Sequence, residues 1–436
     1  MSPVPGPGRL WNALRSSGLF AAEAGEPVLS RNLAINIQQG ILSVVSANLI
    51  GPFLGIFAVR SGASNVQVAM LSSLPALMSI LAMVPGAWFL DGRTDQKRLT
   101  CAFLLAHRSF YLIIAAIPLV HPDRQAALLV AAVAMMNLPG AVGNVGWQAL
   151  VSRVIPPKQR AVAFATRNRF MNLAGTVTVL LAGRGIDILD HPTGYQVAFA
   201  LAFAFAVAEL VVLNRMDDAS PTASSSPSSA PAGAQRFVPW RHTRFLRYTA
   251  ISALFYLAWQ VPWPVFTLYQ VRELGANNLW ISLLNLSNTG GALIGFGFWA
   301  RHANRHGHLR TLSVSSTGMF VIPVIYAFSR NLPTLVVFNL LTGSIISGIS
   351  LSLFNYLLEV TPEDHRTTYI ASYTTVVNCS SVIAPIIGVT LLGRIGFRDT
   401  FLLCAGLRVL GSLLYHALFH IENRQARATS SWVARS

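Results

Sequence analysis

The chain is poor in charge. Only 11% of its 436 residues are Asp, Glu, Lys or Arg, against about a quarter in an ordinary soluble domain, so a solvated globular surface is hard to build from it. Acid is scarcer still, with 16 Asp and Glu against 32 Lys and Arg. In a soluble protein such a basic excess would raise nucleic acid as a partner. Here the basic residues fall in short loops between apolar runs, and neither zinc-finger spacing nor a basic helix with stacking aromatics occurs. Nucleic acid is therefore set aside. Cysteine is nearly missing: Cys101, Cys379 and Cys404 lie inside apolar runs with no Cys-x-x-Cys, which reads as inert buried thiols with neither metal nor cofactor. The opening MSPVPGPGRLWNALRSSGLF lacks the unbroken apolar core of a signal peptide; Arg9 to Phe20 is either a short interfacial helix or an unstructured tail. Also absent are Gly-x-Ser-x-Gly and paired carboxylates beside a nucleophile, which counts against a polytopic membrane enzyme.

What the chain has in quantity is oil. Hydrophobic residues make up 53% of it, gathered into runs long enough to cross a bilayer, which takes about 20 residues each. Twelve such runs are expected. Six are Leu33–Val59, Val66–Leu90, Leu99–Val120, Ala126–Val151, Phe170–Leu189 and Gly194–Leu213. Six more are Leu246–Gln270, Leu279–Trp299, Thr311–Phe328, Leu332–Leu358, Tyr369–Leu392 and Thr400–His420. Between the two sets lies a Ser-, Pro- and Ala-rich stretch that cannot bury enough apolar surface to order itself. The expected division is a tail over 1–32, a bundle over 33–213, a linker over 214–245, a second bundle over 246–421 and a tail over 422–436. With both tails and the linker on one side, 23 Lys and Arg fall on that side, 7 on the other, and Arg108 and Arg408 inside runs. The positive-inside rule makes the richer side the cytoplasm.

The halves repeat one another. Ser61-Gly62-Ala63 after the first run matches Leu274-Gly275-Ala276 after the seventh, and Val154 to Arg160 is echoed by Val360 to Arg366. The basic turns ending in Arg98 and Arg310 fall in the same register. Two like halves running the same way through a membrane form a parallel repeat. Between the second and third runs stands Gly86-Ala87-Trp88-Phe89-Leu90-Asp91-Gly92-Arg93-Thr94-Asp95-Gln96-Lys97-Arg98. From about Leu33 to Ile421 the chain resembles the major facilitator superfamily of secondary transporters, whose Gly-x-x-x-Asp-Arg-x-Gly-Arg-Arg-like loop this segment approximates. It keeps the acid and the basic cluster, spaces Gly and Asp one residue wider and lacks the second Gly. Its counterpart near Arg310 has Asn304 in the acid's place.

The resemblance implies an all-α integral membrane protein of twelve helices in two pseudo-symmetric six-helix bundles. It also implies alternating access of a central cavity to either side. In that scheme Asp91, with Arg93, Arg98 and Arg160, would form a cytoplasmic gate, Asp91 capping the next helix or pairing with Arg160 or Arg153. Polar and aromatic residues at helical spacing are the cavity candidates: Asn36 and Gln39, then Asn144 and Trp147, then Tyr256, Trp259, Gln260 and Trp263, with Asn288 and Tyr373. Packing by interhelical hydrogen bonds is the competing explanation for the Asn and Ser stripes. Pro262 and Pro264 should break the seventh helix. Arg108, Glu209 and Arg408 are possible buried charges, each either a support or a site group; Glu209 sits near enough to a helix end to reach headgroups. Asp187 and Glu359 read as solvated.

The expected protein is a monomer of the plasma (inner) membrane carrying a small organic solute, neutral or amphipathic, with or without a coupling ion. A transporter-like sensor or partner-binding protein is the alternative. No acid stands at mid-depth on the first, fourth, seventh or tenth runs, so proton coupling is not legible.

Overall fold

The structure, a computed structural model, describes residues 27–91, 93–189, 191–217, 241–362 and 366–433. The expected interfacial helix at Arg9 to Phe20 and most of the Ser/Pro-rich linker lie outside the described residues. Helix is the regular structure throughout them. A bilayer leaves little choice, because a peptide group crossing hydrocarbon must find its hydrogen bond inside its own segment.

The first half comprises α1 (Pro27–Asn48, carried on by Gly51–Phe53 and Leu54–Arg60), α2 (Asn65–Leu90) and α3 (Gln96–Ala116). It is completed by α4 (Pro122–Val154), α5 (Pro157–Ile188) and α6 (Thr193–Asn214). In the second half α7 runs over Thr243–Gln260 and, past a break, over Trp263–Leu268 and the π turn Tyr269–Glu273. Then come α8 (Asn278–His306), α9 (His308–Thr317, Gly318–Phe320 and Val321–Phe328) and α10 (Leu332–Val360). A last helical run, Arg366–Val433, is broken at Gly396, whose φ of 76° ends α11 (366–395) and starts α12 (397–433). The fold is all-α, two six-helix halves in sequence.

The repeat read in the sequence has a structural counterpart. Gly62 and Gly275 both take a left-handed conformation, with φ of 78° and 65°. Each is followed two residues later by a capping residue. Ser64 forms a reciprocal capping box with Gln67 at the start of α2, and the Asn277 side chain accepts from Trp280 N at the start of α8. These caps satisfy backbone donors that a helix start leaves open.

Nine stretches are long and apolar enough to cross a membrane among the described residues, Tyr369–Gln425 counting as one. The helices that fall short are α5 and α8. In the repeat α5 is the counterpart of α11 and α8 of α2; α5 and α8 pack against each other across the boundary, while α2 lies along the run containing α11. Polar residues on both face protein or cavity, Arg167 and Asn172 on α5 and Ser282 and Asn285 on α8, where a high mean hydropathy is not required. Within the halves, helices approach at small residues, as is usual where lipid provides no hydrophobic drive. On α10, a methyl group at Gly343 would stand 1.8 Å from the Asn288 carbonyl oxygen of α8.

Candidate functional site

The polar stripe of α1 is the natural starting point, because each residue on it must find a partner or a cavity. Asn36, Gln39 and Ser46 are buried. Ser46 Oγ donates to the Ala202 carbonyl on α6 at 2.7 Å. Gln39 Nε2 donates to Glu209 Oε1 at 2.7 Å, and Gln39 Oε1 accepts from Arg167 Nη2 at 2.9 Å. Glu209 Oε2 in turn accepts from Arg108 Nη2 at 3.1 Å, and Arg108 also donates to Ser43 Oγ at 3.2 Å and to the Tyr111 hydroxyl. One chain of contacts therefore joins α3, α6, α1 and α5 through Arg108, Glu209, Gln39 and Arg167.

Two expectations change here. Glu209 does not reach headgroups: it is 2% exposed and ion-paired. Arg167, counted in a cytoplasmic loop, lies inside α5 and is 7% exposed. Its Nε donates to the Asn36 carbonyl at 3.2 Å, and its guanidinium lies 4.7 Å over the Trp147 ring. Trp147 also meets Phe164 edge-on at 6.3 Å. The clue in the sequence was spacing, since Arg167, Met171 and Gly175 share one face of a helix that starts well before Phe170.

Between the halves lies a cavity of ≈ 440 Å³ enclosed by the outer parts of α1, α2, α7 and α8; its lining includes Gly55, Leu71, Trp263, Thr267, Gln270 and Asn285. A smaller one of ≈ 160 Å³ between α1, α5 and α8 is lined by residues that include Val44, Asn48, Met171, Asn172, Asn285 and Thr289. Trp263 is 45% exposed into the first. One turn away, Tyr256 and Trp259 stack at 5.4 Å. Gln260 is buried with its Oε1 unpartnered, and Tyr373 lies parallel to Tyr248 at 5.5 Å. Asn144 is exposed on α4, whereas Asn288 presents its backbone to Gly343 and lines neither cavity.

Arg408 of α12 is 1% exposed and donates to three carbonyls: Ala258 at 3.5 Å, Trp259 at 2.8 Å and Met319 at 3.0 Å. The prolines explain the site. Pro262 has no N–H to offer Ala258 four residues before it, and Pro323 leaves Met319 in the same position. Arg408 supplies the missing donors, so it holds the broken α7 against α9 and α12.

The expected gate at Asp91 is not assembled. Asp91 ends α2 in an extended conformation, exposed, and makes no ion pair among the described residues. Arg160 turns back onto helix-end carbonyls, Ile155 at 2.9 Å and Ser152, while Arg153 bonds the Gln96 side chain. Arg93 sits over the Phe89 ring at 4.5 Å, and Arg98 is exposed on the first turn of α3. The orphan carbonyls at the end of α4 outcompete a solvated carboxylate.

A clasp instead bridges the halves at the end remote from the linker. Asp187, at the end of α5, accepts from Asn278 N at 3.2 Å, Asn278 Nδ2 at 2.8 Å and Leu279 N at 2.8 Å, all on the first turn of α8. Tyr195 donates to Asn278 Oδ1 at 2.9 Å, and Ser282 donates to the Val179 carbonyl at 2.7 Å. Arg272 donates to Asn65 Oδ1 and the Ala63 carbonyl, both at 2.6 Å. Asp187 is thus the counter-charge of a helix N-terminus, not a solvated acid. His302 and His306 stand one turn apart with ring centroids at 4.5 Å, yet no group of three metal-ligating side chains occurs among the described residues.

Two like helical halves of long apolar helices, with cavities between them, define a multi-pass membrane protein. The Major Facilitator Superfamily model matches residues 39–257 and 248–435, and the chain belongs to that family. It is a transporter and not an enzyme, and transporters of this family bind small-molecule solutes. Among solved structures it is similar to a bacterial homolog of the human lysosomal transporter Spinster in an inward-facing, unoccupied conformation: TM-score 0.69, 12% identity, covering 91% of this chain and 98% of that one. The nucleoside transporter NupG gives TM-score 0.68 at 12% identity, over 88% and 99% of the two chains. A POT family transporter in complex with 5-aminolevulinic acid gives 0.66 at 12%, over 89% and 95%. No curated protein sequence matches this chain.

Proposed function

We propose that the protein is a secondary transporter of the plasma (inner) membrane that carries a small organic solute by alternate opening of its central cavity. The observation that carries this reading is the clasp of Asp187, Tyr195 and Arg272 onto the second half at the end remote from the linker. The interhalf cavity lies beneath that clasp, with Trp263 and Gln270 on its wall. Hydrogen bonds and one carboxylate on a helix end are strong enough to close a state and weak enough to release it. The positive excess at the linker side supports placing that side, and both termini, in the cytoplasm. Trp263, with the Tyr256–Trp259 stack one turn away, suits a solute with an apolar body.

The test is flux. Purified protein in proteoliposomes is offered the solutes that raise its melting temperature in a metabolite and drug screen. Carriage of a stabilising solute, reduced in Trp263→Ala at unchanged protein level, supports the reading; stabilising solutes that are never carried point to a sensor or partner-binding protein. Reporter tags on the linker and the C-terminus check the orientation, and tags on opposite sides of the membrane contradict it.

A further inference from the structure

Among the described residues the buried charges of the first half, Arg108, Arg167 and Glu209, do not sum to zero. Arg108 and Glu209 form a pair at 3.1 Å. Arg167 is the remaining cation, and among the described residues no carboxylate lies within ion-pair distance of it. Its two hydrogen bonds go to neutral acceptors, the Asn36 carbonyl and Gln39 Oε1. Its third nitrogen, Nη1, has no partner among the described residues. Two further groups beside it are unpartnered: both atoms of the Asn36 amide, on a side chain that is 0% exposed, and Trp147 Nε1. A buried cation with uncommitted neighbours is costly to keep, and such groups inside a membrane are retained where they meet a ligand.

Taking the transport reading above as given, we propose that Arg167 is the seat of a single negative charge on the solute, a carboxylate, received by its free guanidinium edge with the Asn36 amide and the Trp147 indole N–H as further donors. One uncompensated positive charge matches one carboxylate. A planar guanidinium held edge-on by two bonds and face-on by Trp147 leaves a fork suited to that group. The body of the solute has a place as well. One and two turns along α5, Met171 and Gly175 line the smaller cavity with Val44 of α1. Gly40 keeps head and body in register, because a methyl group there would stand 2.6 Å from Arg167 Nε and 3.0 Å from Met171 Sδ. Gln39 ties this seat to the Arg108–Glu209 pair, so occupancy by an anion is sensed through one amide on α1.

The test uses matched probes on the full chain: a set of aryl and alkyl carboxylates, each with its primary amide, and chloride and inorganic phosphate as ion controls. Melting temperature and titration calorimetry are read for the parent, Arg167→Gln, Arg167→Lys and Gly40→Ala. Carboxylates should bind and stabilise where their amides do not, with affinity falling by at least about tenfold in Arg167→Gln. Gly40→Ala, which keeps the charge but shifts the fork, should weaken binding too, and Arg167→Lys should recover only part of it. Without probe, Arg167→Gln should be no less stable than the parent; a marked loss of unliganded stability identifies a structural arginine and overturns the proposal. So does equal binding of carboxylates and amides, or binding of none. Stabilisation by phosphate or chloride alone identifies a simple ion site and overturns the organic carboxylate. A carboxylate that binds through Arg167 and is not carried leaves the seat standing and removes the transport reading. A neutral solute carried without any carboxylate preference does the reverse.

Discussion

At the scale of single residues, three guanidinium groups are buried among the described residues, in three different situations. Arg108 is matched by Glu209, so removing one partner alone leaves a charge stranded. Glu209→Gln should therefore cost about 3–5 kcal/mol of stability. The double variant Arg108→Met/Glu209→Met should recover most of that loss, and thermal denaturation of the parent, Glu209→Gln and the double variant in one detergent reads the difference. Arg408 faces carbonyls and no acid. Its replacement by Leu should lower stability by about 2 kcal/mol or more, since two proline-freed carbonyls lose their donor. Solute preference among the molecules still carried should stay as it was, and competition assays on the folded fraction measure that. Arg167, alone of the three, has no ionic or proline-derived partner among the described residues.

At the scale of elements, the breaks are where the sequence speaks most directly. Gly396 separates α11 from α12 with a φ of 76° and ψ of 179°, a region only glycine occupies freely. Gly396→Ala should cost about 1–3 kcal/mol and appear as a lower melting temperature. The long apolar helices, the Pro262 break and the repeat at Gly62 and Gly275 were all legible, because apolar length, proline and glycine act locally. The start of α5 was not. The apolar run begins at Phe170 and leaves Arg167 in the preceding loop, whereas the helix begins at Pro157 and buries that arginine against α1 and α4. The Asn36 and Gln39 stripe was visible as a polar face, but its partners on α3, α5 and α6 depend on tertiary placement that no periodicity encodes. Asp187 failed for the same reason: nothing near it in sequence announces that the first turn of α8 will lie over it.

At the scale of the whole molecule, the clasp at the remote end ties the two halves together, and under the proposed transport reading it holds the state closed at that end. The Asp187 carboxylate accepts two backbone N–H groups and one amide N–H from α8, and bonds to a charged acceptor contribute about 1.5–3 kcal/mol. Losing one such bond shifts a two-state equilibrium by roughly ten- to a hundredfold. Asp187→Ala should therefore move the population toward a form open at the remote end. Asp187→Asn, which keeps an acceptor but loses the charge facing the helix N-terminus, should move it less. Spin labels at Val66→Cys and Glu273→Cys, on either side of the Arg272–Asn65 contact and in a background without Cys101, Cys379 and Cys404, report the separation. The parent should give mainly the short distance, with a longer component growing from Asn to Ala. An unchanged distribution in Asp187→Ala would mean that the packing of α2 on the run containing α11 and of α5 on α8 holds the remote end shut by itself, leaving Asp187 as a helix cap.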